Sequence, residues 1–89
     1  MGINDIFNFT TSKGKHANAI VIDIIARYYE LSGNVITIYL CYTPNYIFTY
    51  KATHYETKGT VEYTFGRICM KDVTYPTYDN MLEQYTKNK

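Results

Sequence analysis

The sequence predicts an α+β domain. Its expected parts are a short N-terminal helical turn, one long amphipathic helix, a three-stranded antiparallel meander that a fourth edge strand can extend, and a short C-terminal helix. Three observations predict this. Apolar residues recur at helical spacing from Ala17 to Leu31 and then alternate with polar ones from Asn34 onward. Two turn signals, Thr43-Pro44-Asn45 and Thr57-Lys58-Gly59, divide the alternating stretch. Eleven Tyr, twelve Thr and ten Ile against three Leu and four Ala suit a pleated, half-buried surface.

The elements follow in order. Asn4 is placed to cap a short helical turn, with Ile3, Ile6 and Phe7 packing inward. Thr10 to His16 is polar, contains Gly14 and reads as a loop. Ala17, Ile20, Val21, Ile24, Ile25, Tyr28 and Leu31 then make one broad apolar stripe at helical spacing. Asp23 and Arg27 sit four apart in the favourable acid-then-base order, and Gly33 supplies a left-handed cap.

The meander occupies residues 35 to 70. Its first strand runs from Asn34 to Tyr42, its second from Tyr46 to Glu56 and its third from Thr60 to about Met70. Gly66 marks a bulge or bend in the third, and Val73 to Tyr75 offers the fourth edge strand. Thr77 caps a last helix in which Tyr78, Met81, Leu82 and Tyr85 share a face. A three-residue first turn pairs Ile36, Ile38 and Leu40 with Phe48 and Tyr50. A three-residue second turn would then put His54 beside Glu62 and leave Val61, Tyr63 and Phe65 on the other face. One residue of slip reverses every side chain, so the third strand's register stays open.

Length and charge limit the function. Eighty-nine residues make one small domain, 1–89, with no room for a second core. A net charge of +1 excludes a polybasic nucleic-acid binder and an acidic mimic by bulk charge. The first residues carry no signal-peptide pattern, and Ala17 to Leu31 is too short and too charged to span a bilayer. A cytoplasmic protein with no membrane association is therefore expected. Ile, Asn, Lys, Tyr and Phe fill 39 positions while Ala, Gly, Pro and Arg fill 13, a skew that AT-rich codons produce. Short AT-rich reading frames without enzyme motifs are commonplace in phages and mobile elements.

Candidate chemistry is sparse. Cys41 and Cys69 form neither a CxxC motif nor a dense disulfide framework and read as free thiols. With His16 and His54 they lack metal-ligand spacing, so no metal and no cofactor are expected. A small enzyme built on Cys41 and His54 would need one particular strand register and a third orienting group. Lys13, Lys15 and His16 precede the expected main helix, whose N-terminus would favour an anion, although the Walker spacing is missing. That loop supports a nucleotide or nucleic-acid binding module as an alternative function; an exposed connector is its ordinary role. Helix, three strands, helix resembles the order of double-stranded RNA-binding domains. Against that, Asp79 stands near the start of the last helix, where that class grips phosphate.

The tyrosines outnumber what one small core needs. Tyr39, Lys51 and Tyr55, with Ile47, are expected on the sheet face turned away from the main helix, where aromatic rings suit a protein interface. The leading expectation is a small non-enzymatic protein, phage or mobile-element encoded, that binds a host protein and inhibits an enzyme or defence system. Homodimerisation through the sheet face or an edge strand accompanies it.

Overall fold

The computed structural model describes residues 1–11 and 13–88. Five strands, β1 (Ile6–Thr10), β2 (His16–Tyr29), β3 (Val35–Thr43), β4 (Asn45–Tyr55) and β5 (Thr60–Val73), are followed by helix α1 (Pro76–Lys87). The strands form one antiparallel sheet in the order β1-β2-β3-β4-β5, so every neighbour in sequence is a neighbour in space.

The long amphipathic helix expected over Ala17–Leu31 is instead β2. Its branched residues, Ile20, Val21, Ile22, Ile24 and Ile25, lose side-chain freedom in a helix and suit a strand. The helical spacing has a separate cause. Val21 pairs with Cys41 and Asp23 with Leu40, then Ile24 with Tyr39 and Ala26 with Ile38, leaving Ile22 and Ile25 as extra, bulged residues. Each bulge lengthens a same-face step from two residues to three. Val21, Ile24 and Arg27 therefore share one face at a spacing that mimics a helix.

Four further expectations are corrected. Asn4 caps no helix: with φ 73° it lies in a tight turn, closed by Asp5 N–H donating to Gly2 O, and the chain then enters β1. The first meander turn is one residue shorter than expected. Thr43 pairs with Tyr46 across Pro44 and Asn45, and Asn45 takes φ 84°, the left-handed position that a type II turn needs after proline. The second turn is one residue longer, with Tyr55 paired to Thr60 and His54 to Val61. The fourth edge strand does not exist as a separate element, because β5 continues to Val73.

The shorter turn reverses the expected faces of β3 against β4. On the inner face Phe9, Ala19, Val21, Tyr39, Cys41, Phe48 and Ala52 are buried together. The sheet curls around them until rings from β1 meet β4 and β5: Phe7 lies 4.9 Å from Tyr50 and Phe9 6.0 Å from Phe65. On the outer face Ile20, Tyr42 and Ile47 align across three strands and bury Leu82 of α1. The C-terminal helix matches its expected face, with Tyr78 and Met81 packed on the same cluster. It starts one residue before Thr77, with Pro76 in its first turn and Tyr75 at the N-cap without a side-chain cap bond.

Candidate functional site

The residues singled out by the sequence do not converge on one catalytic centre. Cys41 is fully buried opposite Phe48, and burial pushes its thiol up to about 12. His54 is exposed opposite Val35, six residues away along β3, which is about 20 Å of strand. The two cannot share a reacting atom. Among the described residues no group of three or more His, Cys, Asp and Glu could hold a metal ion. His16 opens β2 with its Nδ1 3.2 Å from Asn8 Oδ1.

The expected aromatic surface divides between the two faces. Tyr39 pairs with Tyr50 and is 2% exposed, so its ring belongs to the inner core, and burial raises its hydroxyl's pKa. Lys51 and Tyr55 point to the outer face. There Lys58 places its ammonium 5.4 Å from the centre of the Tyr55 ring.

Lys13 and Lys15 lie in the β1–β2 hairpin loop, and no helix follows them; Ser12, just before Lys13, lies outside the described residues. The expected helix N-terminus and its dipole are therefore absent from this loop. Its shape is set by Thr11, whose N–H donates to Lys15 O, whose carbonyl accepts from Gly14 N–H, and whose hydroxyl accepts from Lys15 N–H.

The chain matches no known protein family, no curated protein and no solved structure. Its function must be argued from its own surfaces.

Two surfaces stand out. The first is the outer edge of β5, the last strand of the sheet. From Thr60 to Phe65 it pairs with β4 without interruption, and no described strand covers its other side. Val61 and Tyr63, 40% and 45% exposed, stand along this stretch. Beyond Phe65 the ladder is irregular, with Gly66, Arg67, Cys69 and Asp72 passed over in the pairing. The second surface is the seam where β1 and β5 approach without joining. Concavities of about 240 and 340 Å³ open there, the first lined by Met1, Phe7, Asn8, Tyr50 and Tyr63, the second by the loop lysines. A third concavity, beside α1, carries the carboxylates of Asp79 and Glu83.

Sequence reasoning missed Val61, Tyr63, Phe65 and Ile68 because their placement depends on curl and on the second turn. One signal was available. Phe7 and Phe9 alternate as strand residues do, and reading them so would have given an aromatic strand in place of the expected helical turn.

Proposed function

We propose that this protein is a non-enzymatic binding module that takes an extended segment of another protein onto the outer edge of β5. The carrying observation is the regular, uncovered stretch Thr60–Phe65, where main-chain donors and acceptors meet exposed Val61 and Tyr63. Strand addition draws affinity from main-chain hydrogen bonds and specificity from alternate side chains, and this stretch offers both. Soluble proteins usually blunt such an edge with charge or irregularity. Here Glu62 alone is charged among the six residues, and the irregularity begins only at Gly66.

The burial of the Cys41 thiol, which pushes it up to about 12, and its distance from His54 support a binding role over catalysis. The AT-rich skew supports a phage or mobile-element source. In that setting the partner is a host cytoplasmic protein, and occupying its surface inhibits it.

The test compares the wild-type chain with a V61K/Y63K variant, in affinity capture and in light scattering at increasing concentration. The expected result is a defined complex with a host protein that the variant weakens at least ~10-fold while keeping its fold. Light scattering tells a self-complex from a complex with another protein. A self-complex alone, no complex, or one that the variant leaves intact overturns the proposal.

A further inference from the structure

The β1–β5 seam carries a site of different chemistry. Lys13 and Lys15 overhang a cleft of about 340 Å³ whose remaining walls are Thr11, Tyr46, Phe65 and Ile68. We infer that this cleft binds a planar aromatic phosphate of the nucleotide class, its ring against the Tyr46–Phe65–Ile68 wall and its phosphate between the two lysines.

Charge decides the sign of the ligand. The cleft's lining contains two ammonium groups and no carboxylate. The ion pair found among the described residues joins Lys87 to Glu83, on α1, so neither loop lysine is neutralised by one. The other two concavities differ: the one beside α1 carries two carboxylates, and the one at Tyr50 and Tyr63 carries no charged side chain. Of the three, the lysine cleft alone is lined by two cationic side chains and no carboxylate, which suits it to an anion.

The apolar wall decides its shape. Phe65 is stacked on Phe48 at 4.9 Å with 14° between planes, and on Phe9 at 6.0 Å with 17°. Tyr46 packs 5.8 Å from Phe48. These rings are fixed before a ligand arrives, so little ordering entropy is lost on binding. Ile68 is 41% exposed and extends the wall to the rim. A flat ring covers such a surface better than a compact inorganic anion. The Thr11–Lys15 hydrogen bonds fix the backbone that carries both lysines, leaving only their flexible stems to adjust. The size lies at the small end of ligand pockets, matching one nucleotide rather than a larger cofactor.

The test is an amide-resolved NMR titration of the full chain with AMP, adenosine, inorganic phosphate and a short oligo(dT) as separate probes. AMP is expected to give saturable shifts at Lys13, Lys15, Tyr46, Phe65 and Ile68, at least ~10-fold tighter than adenosine or phosphate alone. A K13A/K15A variant, altered only at exposed loop positions, and Ile68→Glu should each weaken AMP at least ~10-fold while keeping native dispersion. Oligo(dT) binding much tighter than AMP, with a steep salt dependence, identifies single-stranded nucleic acid as the source; equal or weaker binding identifies a free nucleotide. No saturable shift up to about 5 mM, phosphate binding as tightly as AMP, or unchanged affinity in both variants overturns the inference.

Discussion

The Tyr42 hydroxyl donates a 2.7 Å hydrogen bond to Asp79 Oδ1 and accepts one of 3.1 Å from the Tyr75 backbone N–H. One strand side chain thus holds both the N-cap residue and the first turn of α1. The helix has no side-chain cap of its own, so this hydroxyl serves in that place. Tyr42→Phe keeps the ring, which packs against Tyr75 and Tyr78 at 5.5 and 5.6 Å, and removes both bonds. The expected cost is about 1–2 kcal/mol, the usual loss when a partly buried carboxylate and an amide lose their partner. Hydrogen exchange should report it first in α1, with the amides of β3 and β4 protected as before.

Phe9 closes the inner core from the β1 side. It is 3% exposed and lies 4.7 Å from Phe48 as well as beside Phe65. Because β1 is short and, among the described residues, pairs with β2 alone, these ring contacts hold the curl across the seam. Phe9→Ala should cost about 3–5 kcal/mol, a large part of what so small a domain has. Chemical denaturation measures it. Phe9→Leu should recover most of the loss while leaving the Phe65 ring less fixed.

How much of this was legible in the sequence depends on the element. The strands β3 and β4 and the last helix follow from alternation, turn residues and a helical face, because nothing interrupts their periods. β2 was misread for a physical reason: bulges at Ile22 and Ile25 change its period midway, and a three-residue step looks helical. The faces of β3 and β4 depended on whether Pro44 and Asn45 made two or three turn residues, a difference that local composition does not settle. Lys13 and Lys15 were legible as a charged loop. Their apolar counterpart at Tyr46, Phe65 and Ile68 was not, since it is assembled from strands far apart in sequence.

Gly66 sits where β5 crosses Thr49 too closely for any side chain. A Cβ there would collide with Thr49 Oγ1 and lie 2.9 Å from Thr49 O. The carbonyl is backbone and cannot swing away. The Thr49 hydroxyl is also engaged, accepting the Arg67 N–H at 3.0 Å. Gly66→Ala should therefore displace β5 at this bulge and cost about 1–3 kcal/mol. Thermal unfolding checks the loss. Thr49→Ala in the same chain relieves the hydroxyl collision but not the carbonyl one, so it should restore only part of the stability.

The two thiols should separate cleanly by reactivity, and the same burial sets an alkaline limit on the fold. Cys69 is exposed, whereas Cys41 is buried with its thiol pushed up to about 12 from an ordinary value of 9.0. At pH 8 a thiol-specific disulfide reagent should modify Cys69 promptly and Cys41 only as fast as the core opens. Burial also raises Tyr39, Tyr42, Tyr46 and Tyr50 above 10.0. Each of these groups is neutral when protonated and holds its proton more tightly in the folded chain. Their contribution to stability is therefore full below about pH 8, where neither state ionises appreciably. It declines as pH rises through the ordinary values of 9.0 and 10.0 and is lost for Cys41 as pH passes about 12. Denaturation midpoints should accordingly be level from pH 7 to about 8 and fall steadily above it, with the share of tyrosinate absorbance that belongs to these four rings appearing together with unfolding. Tyrosinate that develops fully while the strand signal stays intact would contradict the burial of these four rings. Cys41→Ser should lessen the alkaline decline only slightly, because four tyrosines share it.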